Sequence, residues 1–277
     1  ELAGRFEPRE LRGRAVWIPP IDGDATSIAL RGCGVDQELA RDARGFRFVA
    51  PAGPPADTSR AIDLADAIAH LRAEAWITDA AAPSLVPPAA CSVTAVFDRS
   101  GARRTAQIRL GGRAEEGRVF ASADGVPGVF TVPASLAALA SELYVDRNAL
   151  FTPPEAIASV SVWAPGRGEA RFDADAGAIA DAGSSVPFDV GHLRAESAVH
   201  LGAPAAAEGL ASPAAVVRVA VRADAGARAP RIVVGAATKR GDRAMHFARV
   251  DGVDATFLVA DDRIPAVLAA AAAPPAK

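Results

Sequence analysis

The pentapeptide His-Leu-Arg-Ala-Glu stands twice in this chain of 277 residues, at positions 70–74 and again at 192–196. Five residues are a weak signal in an Ala- and Arg-rich sequence; the order of features behind each copy is a strong one. After the first copy come Leu85 and Pro88, an alternating segment at 92–98, and a turn from Asp98 to Gly101. A return segment at 106–110 then ends in Gly111, and is followed by a segment at 119–122, the pair Asp124-Gly125, a segment at 129–132 and a helical stretch at 135–143. After the second copy the series is Leu210 and Pro213, 217–223, Asp224-Ala225-Gly226, 231–234 ending in Gly235, 246–249, Asp251-Gly252, 256–259 and a helical stretch at 262–271. The offset drifts only from 122 to 127 residues along the series. Self-similarity at a long period predicts two copies of one structural unit, here residues 1–150 and 151–277.

Each unit reads as α+β: a mainly antiparallel sheet with one or two packed helices. Val93, Ala95 and Phe97 recur with the period of a half-buried strand, as do Val217, Val219 and Val221. The Asp-Gly turns are short enough for hairpins and too short for parallel crossovers. In the first unit, 26–31, 37–41 and 45–49 read as strands and the Pro-rich 51–55 interrupts them. A helix over 59–74 is capped by Asp57 or Thr58 and turns Ile62, Ala65, Ile68 and Leu71 inward; Trp76, just after it, is expected in the core. In the second unit the matching strands are 157–163, 170–172 and 178–180, and the helix shrinks to 187–194 with Gly191 inside it.

Composition narrows the function classes. There are 30 basic and 33 acidic residues, and the arginines are scattered singly. The densest basic pairs, Arg103-Arg104 and Lys239-Arg240, fall in predicted loops. No basic stripe forms, so a nucleic-acid partner is not expected. The longest apolar run, 266–273, is far short of the roughly 20 residues a membrane helix needs. The sequence opens on Glu1, which suggests an upstream leader or anchoring helix.

Reactive motifs are sparse. His70 and His192 share one place in the repeat, near a helix C-terminus, where the last carbonyls and the helix dipole favour histidine. His200 aligns with Thr78 and His246 with Val119. No His-x-x-x-His or Cys-x-x-Cys spacing suggests zinc, no Gly-x-Ser-x-Gly suggests a serine nucleophile, and residues 235–241 miss the phosphate-loop spacing and read as a hairpin loop. The acidic pairs read as a solvated loop (Glu115-Glu116), an incomplete calcium pattern (Asp173 with Asp175) and a cap for the last helix (Asp261-Asp262). Cys33 and Cys91 either form one disulfide, if the chain is extracytoplasmic, or are two unrelated small apolar residues. No catalytic, cofactor-binding or metal-ligating residue is nominated. Trp17, Trp163 and Tyr144 are the candidate contact aromatics.

Several weak motifs come in a recognisable order: Gly45-Phe46-Arg47-Phe48, a Pro-rich break, a helix ending in Leu71-Arg72-Ala73, Leu85 with Pro88, and Leu110-Gly111. They continue through Arg118-Val119-Phe120-Ala121 and Val129-Phe130-Thr131-Val132 to Asp146-Arg147-Asn148-Ala149-Leu150-Phe151. This pattern resembles the bacterial family known as domain of unknown function 4340, over essentially the whole chain as two tandem units. The second unit departs from it in its short helix and in Ala178-Ile179-Ala180, where an aromatic strand belongs. The resemblance implies an extracytoplasmic body on an N-terminal membrane anchor, acting beside an ABC-type transporter of the gliding-motility kind, and it implies no catalytic residues.

The expected function is therefore a non-enzymatic accessory domain on the periplasmic side of the inner membrane, working through protein partners in a transport assembly. The alternative is a binding module for a glycan, peptide or lipid in a groove between the units. A third reading is a hydrolase with dispersed groups, which requires His200 or His246 to lie near a carboxylate.

Overall fold

A computed structural model describes residues 12–174, 186–223, 226, 229–262, 264 and 267. The chain divides into two units, Glu1–Tyr144 and Val145–Lys277.

Unit one is built on an eight-stranded sheet. Its strands are β1 (Asp24–Arg31), β2 (Gln37–Asp42), β3 (Gly45–Ala50), β4 (Ala75–Thr78), β5 (Cys91–Arg99), β6 (Ala102–Arg113), β7 (Arg118–Ala123) and β8 (Val126–Pro133), in the order β3-β2-β1-β5-β6-β7-β8-β4. Every pairing is antiparallel. The alternation seen in sequence is the pleat at work: Val93, Ala95 and Phe97 are buried, with Leu30, Ile28 and Ala25 opposite them on β1. Helix α1 (Thr58–Ala69) packs against β1, β3 and β6, and α2 (Ala134–Ala140) lies beside it. Asp57 caps α1, its carboxylate accepting from the Arg60 amide at 3.1 Å. The helix stops five residues short of the predicted end. Its inner stripe is Ala61, Leu64, Ala65 and Ile68, with Ile62 only half-buried, because 3.6-residue periodicity through Ile68 selects Leu64 rather than Ile62.

Unit two is built on a seven-stranded sheet. Its strands are β9 (Ile157–Ala164), β10 (Gly168–Asp173), β11 (Ala195–Leu201), β12 (Ala215–Val221), β13 (Arg231–Arg240), β14 (Arg243–Val250) and β15 (Ala255–Ala260), in the order β10-β9-β12-β13-β14-β15-β11. Helix α3 (Val186–Gly191) is the shortened helix foreseen for this unit. Met245, Phe257, Val259, Ile232 and Val217 fill its core.

The two sheets share one strand order, with β3 as the extra edge of unit one. Their registers also break at equivalent places. Between β1 and β5 the extra residue is Thr26; between β9 and β12 it is Ala158. The β6–β7 pairing steps from Leu110↔Ala121 to Arg113↔Val119, and the β13–β14 pairing from Val234↔Ala248 to Ala237↔His246. The β4–β8 pairing passes over Ile77 between Trp76↔Phe130 and Thr78↔Val129; the β11–β15 pairing passes over Val199 between Ala198↔Phe257 and His200↔Thr256. Bulges are placed features of a sheet rather than noise.

Several expectations are corrected. Strands β4 and β11 were not foreseen. Arg103, Arg104, Lys239 and Arg240 lie in strands, and residues 235–240 continue β13 up to the turn at Gly241, so the predicted loop there is much shorter. Trp76 is half-buried, its ring edge-on to Phe130 and under the Arg12 guanidinium. The strand predicted at 178–180, the turn at 224–225 and most of the helix predicted at 262–271 lie outside the described residues.

Candidate functional site

Each unit holds a cavity between its Leu-x-x-Pro segment and its Asp-Gly turn. In unit one it measures about 460 Å³, between residues 81–88 and the Asp124-Gly125 turn joining β7 to β8. In unit two it measures about 530 Å³, bounded by Pro204, Leu210 and the Asp251-Gly252 turn. Near each cavity the loop backbone approaches the sheet closely at a bulge glycine. A Cβ on Gly111 would overlap the Leu85 carbonyl, and a Cβ on Gly235 would overlap the Glu208 carbonyl. Only glycine lets the loop carbonyl reach the strand there.

The two cavities differ in lining. In unit one, Pro83, Val86, Val126 and Val129 face a polar wall where Arg109 pairs with Asp124 at 2.9 Å. In unit two, Arg231 approaches Asp251 at 3.4 Å, and Arg249 holds Asp254 at 2.6 Å and the Gly202 carbonyl at 2.5 Å. In both units the turn aspartate's amide bonds back to the neighbouring strand, Asp124 to the Gln107 carbonyl and Asp251 to the Arg231 carbonyl. The turn contact beside each pocket is thus the same, while unit two places two Arg–Asp pairs where unit one has one.

The four histidines fall into two kinds. His70 and His192 end helices in the same way: each amide bonds the carbonyl four residues back, and each Nδ1 lies about 3 Å from that carbonyl, on Asp66 and Phe188. His200 and His246 each meet a carboxylate. His246 Nε2 lies 3.0 Å from Asp261 and its Nδ1 3.3 Å from the Gly235 carbonyl, so Asp261 serves a histidine rather than only a helix start. His200 Nε2 lies 2.6 Å from Glu208, and its Nδ1 lies 3.0 Å from the Leu201 carbonyl. Glu208 is buried and also accepts from the Ala205 amide at 3.0 Å and the Thr256 hydroxyl at 3.2 Å. Burial pulls the His200 pKa down, but the Leu201 carbonyl and the Glu208 carboxylate outweigh it and set the group above its ordinary 6.5, Arg249 opposing them slightly. Chemically this is a fastened acid–base pair: the ring nitrogen not facing Glu208 points at a carbonyl rather than at a hydroxyl or thiol it could activate. Among the described residues no group of His, Cys, Asp and Glu side chains is arranged to hold a metal ion, and no helix is long and apolar enough to cross a membrane.

Of the candidate contact aromatics, two are interior. Trp17 is buried and its indole donates to the Ile68 carbonyl at 2.7 Å. Tyr144 is buried too. Its hydroxyl donates to the Leu139 carbonyl at 2.7 Å, its amide donates to Gln37, and desolvation holds the phenol well above its ordinary range. Both are apolar anchors of unit one whose polar tips are internally satisfied, so neither is available as a contact. Trp163, near the end of β9, is 37% exposed and keeps that possibility. Cys33 and Cys91 are joined in a disulfide with Cα atoms 4.4 Å apart. Its placement follows from register: Arg31 pairs with Ser92, so the residues beyond them meet where β1 leaves the sheet. Asp175 lies outside the described residues. The His200–Glu208–Thr256 cluster escaped sequence reasoning because its members sit on three separate segments with no motif spacing. Comparison with protein-family models, characterised proteins and solved structures returns no match.

Proposed function

We propose that the chain is a tandem duplication working as a non-enzymatic binding scaffold: an extracytoplasmic accessory domain that acts through protein–protein contacts. One observation carries this reading. The two units keep the strand order and the three register breaks but not the reactive side chains: His200 and Thr256 stand where unit one has Thr78 and Val129, and Glu208, whose carbonyl meets Gly235 as the Leu85 carbonyl meets Gly111, stands where unit one has Leu85. Shape is retained and chemistry is exchanged, which is the signature of a scaffold. The Cys33–Cys91 disulfide favours an oxidising compartment. The resemblance to domain of unknown function 4340 then points to an inner-membrane anchor and an ABC-type transporter as the partner assembly, with no nucleic acid involved. The test is affinity purification of the anchored full-length protein in mild detergent. Transporter subunits are expected in stoichiometric yield, and their absence after crosslinking in cells rejects the partner.

A second reading has its own observation, the preformed cavity of unit one. There the protein binds a small apolar or peptide-like ligand, with Arg109 and Asp124 orienting it. Chemical-shift mapping with a peptide library tests this; shifts confined to Val126, Val129 and Asp124 support it, and none at millimolar ligand rejects it.

A further inference from the structure

Segment 202–210 of unit two is tied down at its start by Gly202, whose amide bonds the Asp254 carbonyl and whose carbonyl accepts from Arg249, and beyond that point by one buried carboxylate. Glu208 takes the Ala205 amide, the Thr256 hydroxyl on β15 and the His200 ring on β11. Both His200 nitrogens face acceptors, the Glu208 carboxylate at 2.6 Å and the Leu201 carbonyl at 3.0 Å. An imidazole can satisfy two acceptors only when both nitrogens carry hydrogen. With one proton fewer, one ring nitrogen must meet its acceptor with a lone pair, either Nε2 against the buried carboxylate or Nδ1 against the Leu201 carbonyl, and the ring no longer carries a charge. That contact is repulsive and leaves the carboxylate short of its cationic partner, a costly state in a buried site.

We propose that His200 and Glu208 form a pH-operated latch: with the proton present they clamp segment 202–210 onto the sheet, and with it gone the segment opens. The segment carries Pro204 and Leu210, two walls of the unit-two cavity, and lays the Glu208 carbonyl on Gly235. Opening the latch therefore reshapes that cavity. The other groups around it are few. β15 contributes Thr256 and no ionisable side chain. β14 contributes Arg249, already engaged with Asp254 and the Gly202 carbonyl, and His246, held by Asp261. The 3₁₀ turn Arg147–Leu150, also packed on β11, contributes Arg147. Neither arginine changes charge between pH 5 and 9. Unit one is the internal control, since Thr78, Leu85 and Val129 occupy the equivalent places.

The sign follows from the raised His200 pKa: clamping is complete below pH 6.5 and is lost as pH rises through the folded value. The experiment is residue-resolved hydrogen exchange on the whole chain from pH 5 to 9, expressed as protection factors, with NMR titration of the His200 ring. Protection over 202–210 is expected to fall with rising pH, up to about tenfold for each unit by which the His200 midpoint exceeds 6.5. Unit one's 80–88 segment should stay level, and His200→Gln should flatten the profile. A flat wild-type profile, a His200 midpoint at or below 6.5, or pH dependence persisting in His200→Gln each overturns the latch. Should His200→Gln fail to fold, agreement between the wild-type ring midpoint and the fall in protection decides the matter.

Discussion

Unit one and unit two solve the same problem, holding a loop against an antiparallel sheet, with different chemistry. Unit one joins β1 to β5 through Cys33–Cys91 and lines its loop pocket with proline and valine. Unit two has no cysteine; the β12 residue registering with Cys91 is Ala215, since Cys91 pairs with Leu110 as Ala215 pairs with Val234. It fastens its loop with His200, Glu208 and Thr256, and its strand β14 with His246 and Asp261. Unit one is held by a covalent bond and unit two by histidine–carboxylate pairs, of which His200–Glu208 is the one the proposed latch makes answer to pH.

The largest test of this contrast is redox. The disulfide closes 58 residues of chain, for which loop-closure entropy gives about 4 kcal/mol of stabilisation. Cys33→Ser with Cys91→Ser, or reduction, should lower the stability of unit one by up to about that amount and leave unit two's amide protection unchanged. Equal loss of protection in both units would dissolve the contrast.

The next test concerns what the units share. Gly111→Ala and Gly235→Ala should each destabilise by about 2 to 3 kcal/mol, because the new Cβ meets a backbone carbonyl rather than a yielding side chain. Urea denaturation of the two variants should show comparable losses. A large loss at only one position would mean that the bulges coincide in drawing but not in mechanics.

Much of this was legible in sequence because it is periodic. Strands such as β5 and β12 alternate cleanly, the Asp-Gly turns mark hairpins, and the paired pentapeptides reveal two units. Strands β4 and β11 were not legible: all four β4 residues are half-buried and β11 scarcely alternates, as befits short or bulged edges. The far half of β13 reads as a loop because it runs beyond the core and carries Lys239 and Arg240 on an exposed end. Trp17 and Tyr144 looked like contact residues because sequence cannot tell an aromatic at a segment end from one folded inward. The carboxylate partners of His200 and His246 were invisible for a simpler reason: strand pairing, not spacing, brings them together.

A smaller effect separates the loop fastenings. Thr256→Val installs in unit two the residue type that unit one has at Val129. It removes one hydrogen bond to a buried carboxylate, and should cost about 1.5 kcal/mol. The loss should be greatest at low pH, where the latch is closed and the Thr256–Glu208 bond is in place, and should shrink as pH rises through the His200 midpoint; a pH-independent loss in chemical denaturation would separate Thr256 from the latch.

The smallest effect is at the pentapeptide that stands once in each unit. His70→Ala and His192→Ala each remove a ring nitrogen from a helix-end carbonyl, and helix-terminal charges and caps of this kind contribute about 0.5 kcal/mol. The two losses should nevertheless differ. His70 is exposed and ends a twelve-residue helix, whereas His192 ends a six-residue one and stacks on Phe188, with ring centroids 4.2 Å apart, and edge-on to Phe151 at 6.5 Å. Losing those ring contacts adds to His192→Ala alone, so its melting temperature should drop further than that of His70→Ala. Equal shifts would mean that the histidine survives in both copies for the helix end only; a larger shift at His192 would show that unit two has given its copy a second task, packing beneath Phe151 where its helix is too short to supply a core of its own.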